Sequence, residues 1–401
     1  MHVMFLIDSM EGGGAERACL NIANHLCGKH HVSLVAMFDA ENPGYRMDPR
    51  IDYYQLHIRK NHALYRKPDI YFREISMLRK LKKRLHTDCC ISFLETANFL
   101  NVLSCTGEKT IISIRNYYSR SLWRERNLFQ KIKASYASKH ADRTVCVSRT
   151  ILYDMIDSFG TPAERAEIIY NMYEPAQAIN PVQEQYEWFL GQKKSASTVF
   201  ITAGRYVEQK AHRNLIRAFR KVHAAVPGAK LYLFGKGPLK KELQDTINRY
   251  GLQNNVFLMD FDPGVVSYLK EADVYVCSSL WEGFSNSLLE ALANGLPAVS
   301  TDCRSGPREL LAPDTDCRQE AQGIEYAEYG VLVPVCSAGI PSEEDLSAEE
   351  ECLACAMIRL ANDGSMRTAY REKAAERMKS FTPDVIMSQW ERLIEKTTGT
   401  M

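Results

Sequence analysis

Four charged residues in the C-terminal half have the types and spacing of a site for a phosphorylated ligand. Arg205 and Lys210 lie in "AGRYVEQKAH", directly after the apolar run "TVFIT". Glu282 and Glu290 lie in "WEGFSNSLLEAL", with seven residues between them. Arginine and lysine bind phosphate oxygens, and arginine can do so with two parallel hydrogen bonds. Carboxylates repel phosphate and accept hydrogen bonds from hydroxyls, so the four residues together predict a ligand that carries both phosphate and sugar.

Backbone N–H groups are expected beside the first of these carboxylates. The sequence predicts a buried strand that ends at 278–279 and a helix that Ser285 caps. The free N–H groups of Phe284, Ser285 and Asn286 at the start of that helix would favour an anion. Ligands of open α/β sheets bind at the carboxyl ends of the strands, where all these groups are predicted to lie.

Two glycine-bearing turns also follow predicted strands. Gly13 and Gly14 lie in "EGGGAER", between a strand pattern and a helix pattern, where the lack of side chains lets a phosphate approach. Gly235 and Gly237 form the turn "GKGP" after the run "LYLF", and we expect this turn to form the floor for a nucleotide base.

The first turn also suggests an alternative, an NAD-dependent oxidoreductase. A dinucleotide fingerprint requires G-x-G-x-x-G/A and an acidic residue about 20 positions further on. The run Gly12–Ala15 does not have that register, although Asp39 after the second predicted strand partly fits.

Short apolar runs alternate with helical patterns through both halves of the chain. The runs predicted as strands are "HVMFLID", "HVSLVAMF", "IDYYQL", "DCCISF", "TIISI", "RTVCVS" and "EIIYN" in the first half, and "TVFITAG", "AKLYLFG", "NVFLMD", "DVYVCSS" and "PAVST" in the second. The spacing of Ala18, Ile22 and Leu26 predicts a helix over 15–27. This alternation favours parallel sheets covered by helices, and its occurrence twice predicts two Rossmann-like domains.

The predicted domains are 1–180 and 195–380, and a boundary near 175–196 is indicated by two prolines, polar residues and little strand character. Residues 381–401 form an amphipathic pattern after a proline, and we expect this helix to pack back toward the N-terminal domain.

Charge is distributed unevenly along the chain, whose net charge is +1. Residues 1–175 hold 25 Lys and Arg against 19 Asp and Glu. Much of the excess lies in 57–86 and 115–133, where basic and aromatic residues alternate with apolar ones. Such helices can lie on an anionic membrane surface, and the alternative is a solvated helix face. No nucleic-acid motif accompanies the charge, so nucleic acid is not expected as a partner.

Several features indicate a cytoplasmic protein. There is no run of about 20 apolar residues that could span a membrane. The N-terminus lacks the basic segment and cleavage site of a signal peptide. Cysteines lie mostly inside apolar runs, as with Cys19, Cys146 and Cys277, which favours a reducing compartment. The lone pair Cys352 and Cys355 has no nearby partners for a zinc site.

The elements "GGGAER", "GRYVEQK", "LYLFGKGP" and "EGFSNSLLEALANGLPAVSTDC" resemble those of the retaining glycosyltransferases of family 4. The resemblance covers nearly the whole chain and is most specific over 200–310. It implies the α/β GT-B fold, with two parallel sheets facing an interdomain cleft, an N-terminal acceptor-binding domain and a C-terminal domain that binds the nucleotide sugar. "STDCRSGPREL" resembles the subgroup that builds bacterial lipid-linked oligosaccharides and surface glycans, often from UDP-sugars.

The resemblance implies a role for each matching residue. Arg205 and Lys210 would hold the donor diphosphate and stabilise it as it leaves, and Glu282 would bind hydroxyls of the donor sugar. Glu290 would bind the ribose. The remaining implied donor contacts are Phe284, Ser285, Asn286, Gly235 and Gly237, together with Gly13 and Gly14 from the other domain.

On the acceptor side, "SIRN" resembles the subgroup's acceptor loop, so Arg115 and Asn116 are candidates, together with Arg17. Two positions depart from the family pattern, because Ala211 and Asp260 stand where glycine is common. The triplets at 260–262 and 314–316 match the DxD pattern of metal-using transferases, but neither a metal nor another cofactor is expected.

The implied reaction is transfer of a hexose or N-acetylhexosamine, with retention, from a UDP-sugar to a polyprenyl-diphosphate-linked glycan. We expect it at the inner face of the plasma membrane, in the assembly of surface polysaccharide or glycoprotein glycans. A GT-B epimerase that acts on the same UDP-sugar without an acceptor is the second alternative.

Overall fold

The computed structural model describes residues 1–11, 13–38, 46–58, 68–119, 128–174, 179–337, 339 and 345–400. The chain forms two compact units. The first unit consists of Met1–Met172 and Pro383–Met401, and the second consists of Tyr173–Thr382.

The first unit is built on a sheet whose described strands are all parallel. They are β1 His2–Ile7, β2 His31–Phe38, β3 Asp52–Ile58, β4 Cys89–Phe93, β5 Lys109–Ile114, β6 Arg143–Cys146 and β7 Ala166–Ile168. Their order across the sheet is β3-β2-β1-β4-β5-β6-β7. The helices are α1 Gly14–Leu26, α2 Pro68–Arg84, α3 Glu95–Leu103, α4 Leu128–His140 and α5 Arg149–Phe159. Every residue of β1 and β4 is buried, which explains why these strands read as continuous apolar runs.

The second unit has a sheet of closely similar order. Its described strands are β8 Thr198–Ala203, β9 Ala229–Phe234, β10 Val256–Met259, β11 Val274–Cys277, β12 Ala298–Thr301, β13 Glu325–Tyr326 and β14 Val331–Val333. Their order is β10-β9-β8-β11-β12-β14-β13, and β13 alone pairs antiparallel. The helices are α6 Gln183–Lys193, α7 His212–Ala225, α8 Lys240–Arg249, α9 Val265–Glu271, α10 Asn286–Ala293, α11 Pro307–Leu311, α12 Ala348–Asn362 and α13 Gly364–Met378.

The last helix, α14 Pro383–Thr398, belongs to the first unit. Its Trp390 is buried and stacks on Phe93 of β4, with ring centroids 6.4 Å apart. The stretch 175–196, in which the sequence places a domain boundary, contains helix α6 of the second unit. Phe189 of this helix is fully buried against the ring of Tyr232.

Each sheet has a point at which the strand order reverses. In the first sheet the chain runs outward from β1 to β2 and later returns to the other side of β1 with β4. In the second sheet the same reversal occurs between β8 and β11. The carboxyl ends of the strands at such a point border a crevice, which is the usual ligand site of open α/β sheets. The predicted α/β fold with two Rossmann-like parallel sheets is confirmed.

Candidate functional site

An ion pair lies in the crevice of the second sheet. The Nζ of Lys210, after β8, lies 2.6 Å from Oε1 of Glu282, after β11. Their side chains are only 17% and 8% exposed. Ser279 Oγ donates a second hydrogen bond to the same oxygen at 2.6 Å. Burial acts to lower the pKa of Lys210, but the Glu282 carboxylate outweighs burial, so the pKa of Lys210 is raised and its ammonium stays charged.

Hydrogen bonds join the two loops that carry this ion pair. Ser278 Oγ donates to the carbonyl of Lys210 at 2.8 Å. The Gln209 side chain donates to the carbonyl of Trp281, and the Leu280 amide donates to the carbonyl of Gln209, both at 2.8 Å. The ion pair is therefore held in place by the backbone before any ligand binds.

The backbone conformation after Lys210 is unusual for its residue type. Ala211 has φ +47° and ψ +36°, in the left-handed region that favours glycine, and it stands at the N-cap of α7. The next residue, His212, is buried. Burial and the charge of Lys210 lower the pKa of His212 to about 3, so the imidazole is neutral and Lys210 supplies the positive charge of this segment.

Arg205 lies at the same end of β8, but the structure does not place it in the ion pair. Its side chain is exposed and has no hydrogen-bond or salt-bridge partner among the described residues. The next residue, Tyr206, is buried and its hydroxyl lies 2.6 Å from the carbonyls of both Leu233 and Met259. This anchor fixes the backbone beside Arg205 and leaves the guanidinium free to bind an anion.

The glycines of the "GKGP" turn are required by close packing. A Cβ on Gly235 would lie 2.0 Å from the Gly204 carbonyl oxygen, and one on Gly237 would lie 2.5 Å from the Tyr206 carbonyl oxygen. The turn after β9 thus lies directly against the loop after β8. Its Lys236 ammonium lies 5.4 Å from the ring centroid of Phe261, which is exposed after β10. Phe261 is not among the site residues that the sequence predicts.

The loop before α10 is held by a second loop at 304–306, inside "STDCRSGPREL", for which the sequence predicted no structural role. Ser305 Oγ donates to the Gly283 carbonyl at 2.6 Å, and the Glu282 amide donates to the Arg304 carbonyl at 2.9 Å. Gly306 lies so close that a Cβ there would be 3.1 Å from the Phe284 Cα. This packing fixes the backbone N–H groups at the start of α10.

The predicted capping role of Ser285 is wrong. Ser285 stands at the N-cap of α10, but its side chain makes no capping hydrogen bond and its hydroxyl lies 3.5 Å from that of Ser287. Asn286 is the first residue of the helix, and the Ser285 side chain does not cap the N–H groups of its first turn. Glu290 is buried in the second turn of the same helix, below the crevice.

The two DxD triplets have structural partners. Asp262 is buried and accepts hydrogen bonds from the Tyr268 hydroxyl and the Gly264 amide, both at 2.7 Å. Asp260 pairs with Lys240 at 2.5 Å. In the second triplet, Asp316 forms a salt bridge with its neighbour Arg318. Within the described ranges, no group of three His, Cys, Asp or Glu side chains is arranged to hold a metal.

In the first unit, Gly13 precedes α1 and Gly14 is its first residue. A Cβ on Gly13 would lie 2.4 Å from Glu16 Oε2, so the Glu16 carboxylate covers the position where a phosphate was expected to approach. The next residue of this turn of α1, Arg17, donates its backbone N–H to the Gly13 carbonyl at 3.1 Å. Asp39, the acidic residue of the dinucleotide alternative, lies outside the described residues.

The acceptor-side candidates lie after β5. Arg115 donates to Asn171 Oδ1, and its guanidinium lies 5.4 Å from the ring centroid of Phe93. Burial lowers the pKa of Arg115 to about 10. The neighbouring Asn116 is partly exposed. Arg115 is therefore already engaged in contacts within its own unit.

The basic stretches lie on α2 and α4, and their parts at 59–67 and 120–127 are outside the described residues. From its basic neighbours we expected Lys82 to lie on a solvated or membrane-facing surface, and this expectation is wrong. It is fully buried and lies 2.7 Å from Glu108. Burial of a lysine requires such a partner, and Glu108 supplies it from the segment before β5.

Apolar side chains are also exposed on these two helices. Phe72 of α2 is 73% exposed. We use the name apolar patch for Phe72 together with the exposed residues of α4, which are Leu128, Phe129, Ile132 and Tyr136. A T-shaped contact between Tyr71 and Phe129 joins the two helices at this surface. No helix in the described part of the chain is long and apolar enough to cross a membrane.

The chain matches two family models. Glycosyl transferases group 1 matches residues 187–320, and Glycosyltransferase Family 4 matches residues 12–177. An uncharacterized glycosyltransferase of Methanocaldococcus jannaschii is 32% identical over 342 residues, which are 81% of this chain and 82% of that protein. The N-acetylgalactosamine-N,N'-diacetylbacillosaminyl-diphospho-undecaprenol 4-alpha-N-acetylgalactosaminyltransferase of Campylobacter jejuni is 28% identical over 384 residues, which are 94% of each chain.

A solved structure agrees with this family in its fold. Anabaena HepE, crystallised in complex with UDP, has a TM-score of 0.76 at 17% identity, over 99% of this chain and 100% of that one. Two Rossmann-like units with this strand order have the GT-B fold, as this neighbour does. The chain belongs to the glycosyltransferase family that the two models describe, Glycosyltransferase Family 4 with its group 1 domain.

Proposed function

We propose that the protein transfers a hexose or N-acetylhexosamine from a UDP-sugar, with retention, to a polyprenyl-diphosphate-linked glycan in bacterial surface-glycan assembly. The observation that carries the proposal is the Lys210–Glu282 pair at the β8/β11 crevice, with the exposed Arg205 beside it. The named acceptor chemistry of the Campylobacter jejuni relative, a diphospho-undecaprenol glycan, supports the choice of acceptor. The complex of Anabaena HepE with UDP supports the choice of donor.

Each group of the crevice has a part in this reaction. The leaving diphosphate gains negative charge in the transition state, and Arg205, Lys210 and the N–H groups at the start of α10 stabilise that charge. Glu282 accepts hydrogen bonds from donor-sugar hydroxyls, and Glu290 accepts them from the ribose. For retention, the donor phosphate oxygen takes the proton of the attacking acceptor hydroxyl on the same face of the sugar.

Positive charge at the diphosphate is supplied by side chains in this proposal, without a metal or other cofactor. The raised pKa of Lys210 keeps its ammonium charged through the neutral range. We expect transfer to continue at an unchanged rate in EDTA. Loss of transfer in EDTA with recovery on addition of Mg²⁺ or Mn²⁺ would overturn this part.

The experiment that tests the reaction is a donor screen. The protein is incubated with UDP- and GDP-sugars, with and without a synthetic polyprenyl-diphosphate N-acetylhexosamine, and nucleoside diphosphate release is measured. Acceptor-dependent UDP release with the α-anomer as product supports the proposal. Conversion of the UDP-sugar to its epimer without UDP release would establish the epimerase alternative instead.

We also propose that the protein binds the inner face of the plasma membrane through the apolar patch and the exposed basic residues of α2. Phe72 of α2 and Leu128 of α4 are exposed, and Lys80, Lys83 and Arg84 are exposed further along α2. Aromatic and aliphatic side chains enter the headgroup boundary, while each basic residue near an anionic surface adds about 1 kcal/mol.

Sedimentation with vesicles tests the membrane proposal. Binding to vesicles that contain anionic lipid should fall about 100-fold when Lys80, Lys83 and Arg84 are replaced by Gln, and should fall with salt. Phe72→Ser should weaken binding further, whereas Phe261→Ser, which removes an exposed phenylalanine of the second unit, should not. Equal binding by all variants, or no binding by the unaltered protein, would overturn it.

A further inference from the structure

The crevice of the first sheet also contains a cluster of ionisable side chains. Asp8 follows β1, and Glu95 begins α3 directly after β4, so the two carboxyls flank the point where the strand order reverses. Oδ1 of Asp8 accepts a hydrogen bond from the Ala97 amide at 3.0 Å. The backbone carbonyl of Asp8 accepts one from the Phe38 amide at 2.8 Å. The Asp8 carboxyl is therefore fixed in place at this crevice.

A buried lysine lies among these carboxyls. Lys133 of α4 is 2% exposed, and its Nζ lies 5.3 to 5.8 Å from the ring centroids of Tyr71, Phe99 and Phe129. It has no hydrogen bond or salt bridge among the described residues. Burial lowers the pKa of Lys133, while Asp8, Glu95 and Glu74 act to raise it. Glu74 lies one helical turn from Tyr71, and Glu95 lies one turn from Phe99, so both carboxyls lie on the helix faces whose rings contact the ammonium.

Glu74 of α2 is a second buried ionisable group of this crevice. It is 2% exposed, and neither of its carboxyl oxygens has a hydrogen-bond partner in the part of the chain that the structure describes. Burial raises the pKa of Glu74 to about 7, although the Lys133 charge acts in the opposite direction. A buried polar group without partners destabilises the folded state, and a ligand with hydroxyl donors would remove that cost.

The composition of the cluster indicates the class of ligand. Three carboxyls around one ammonium repel a phosphate or diphosphate. Sugar hydroxyls can donate to carboxylates and accept from an ammonium, and the apolar face of a sugar ring can pack on aromatic rings. Tyr71, Phe99 and Phe129 provide such rings at the Lys133 ammonium.

We propose that Asp8, Glu74, Glu95 and Lys133 form an acceptor-sugar subsite, in which Asp8 accepts a hydrogen bond from a hydroxyl of the acceptor sugar. The inference rests on the proposed function and extends it to the sugar end of the acceptor. The lipid diphosphate of the acceptor binds elsewhere, because the carboxyls of this subsite exclude it. No bond is formed or broken by these side chains.

Ionisation of Asp8 gives the subsite a pH dependence. The charged and titratable groups that face Asp8 are Glu16 of α1, Glu95 of α3, Lys133 of α4 and the buried Tyr118, with Glu74 beyond Lys133. Burial and Glu95 raise the pKa of Asp8 to about 7. Because the ionised form is the better hydrogen-bond acceptor, kcat/KM for the acceptor should rise as the pH increases through about 7.

Steady-state kinetics at saturating UDP-sugar, from pH 5.5 to 9, test the proposal. Asp8→Asn keeps an oxygen for the Ala97 amide but removes the charge. We expect it to lower kcat/KM for the acceptor at least tenfold at pH 8 and to abolish the rise near pH 7. The KM for the UDP-sugar and the acceptor-independent release of UDP should stay within twofold of the unaltered protein. Lys133→Met should lose acceptor turnover, and the same two donor readouts should also stay within twofold.

Asp142→Asn is the matched control, since Asp142 also accepts a backbone hydrogen bond, from Thr110, but lies before β6 at the opposite end of its strand. It should keep the acceptor kinetics and the pH profile. Wild-type acceptor kcat/KM in folded Asp8→Asn and Lys133→Met would overturn the subsite. If Asp8→Asn does not fold, Glu74→Gln replaces it, and wild-type acceptor kcat/KM in that variant and in Lys133→Met would overturn the subsite.

A direct binding measurement separates this inference from the proposed function. Calorimetry with methyl N-acetyl-α-galactosaminide, which has no phosphate, is performed alongside calorimetry with UDP. Sugar binding that is lost in Asp8→Asn and kept in Lys210→Ala supports the subsite, even if no UDP-sugar is turned over. UDP binding with no sugar binding at any concentration up to 50 mM overturns the subsite and leaves the donor proposal standing.

Discussion

The two crevices of this protein are built on the same strand order but place their charges differently. After β8 and β11, the ammonium and carboxylate of Lys210 and Glu282 are in direct contact at 2.6 Å, between loops joined by hydrogen bonds. After β1 and β4, the Lys133 ammonium has aromatic rings around it and no direct partner in the described residues. The comparison shows that one scaffold can hold a lysine either in a direct ion pair with a carboxylate or among aromatic rings.

The largest effect expected from this comparison is on chemistry in the second crevice. Lys210→Ala removes a cation that stabilises the leaving diphosphate, and we expect kcat to fall about 100- to 1,000-fold. Acceptor-dependent UDP release at saturating substrates measures it. Glu282→Ala should also remove most transfer, because the donor sugar loses its hydrogen-bond acceptor.

Lys193→Ala is the matched control for Lys210→Ala. The Nζ of Lys193 lies 2.6 Å from Glu271, the same distance as in the crevice, but both side chains are about a third exposed. Its kcat should stay within twofold of the unaltered protein. Near-normal turnover in both lysine variants would show that the crevice pair has no part in the reaction.

The second effect concerns stability. Lys210→Met leaves the Glu282 carboxylate buried without its counter-ion, so we expect unfolding free energy to fall by about 2–3 kcal/mol. Lys210→Met combined with Glu282→Gln removes both charges and should recover most of this loss, without recovering activity. Urea denaturation of the whole protein measures these changes in unfolding free energy. A double variant no more stable than the single one would show that the two charges are not coupled.

The third effect should appear in the first crevice and should depend on pH. The folded-state pKa of Asp8 is raised to about 7, above its ordinary value, so its contribution to stability is present at low pH and lost as the pH rises toward 7. Asp8→Asn does not titrate. The variant should therefore gain about 3 kcal/mol relative to the unaltered protein between pH 4 and pH 7. Chemical denaturation of both proteins at several pH values measures the difference in unfolding free energy. A difference that does not change with pH would contradict the raised pKa of Asp8.

The smallest effect is expected at Ala211. A non-glycine residue in the left-handed conformation is strained, so Ala211→Gly should stabilise the second unit by about 0.5–1 kcal/mol. Thermal unfolding measures it, and Ala218→Gly in the middle of α7 is the control that should destabilise. Destabilisation by both substitutions would contradict the backbone strain assigned to Ala211.

The sequence predicted the frame of the molecule well because buried parallel strands are continuous apolar runs. All the runs chosen as strands correspond to β1–β12, and helix α1 lies one residue from its predicted bounds. Strands β13 and β14 were not predicted, because runs of two and three residues do not show a period. The carboxyl-end rule correctly indicated that Lys210 and Glu282 lie at one crevice.

Contacts between distant charged residues were not predictable from local patterns. Lys82 and Lys133 belong to runs of basic residues that look solvated, yet both are buried. The partner of Lys82 is Glu108, and Lys133 is surrounded by side chains from α2 and α3. Only the tertiary packing brings these groups together, so the charge pattern alone could not distinguish them from surface lysines.

The hydrogen bond between Lys210 and Glu282 has a consequence for product release. In the proposed reaction, the bound donor gives Lys210 a phosphate and gives Glu282 sugar hydroxyls, so each partner of the pair is compensated. After transfer the sugar has left Glu282, and only UDP stays with Lys210. The carboxylate then competes with the product for the same ammonium, and re-formation of the 2.6 Å pair helps UDP to dissociate and resets the enzyme for another turnover.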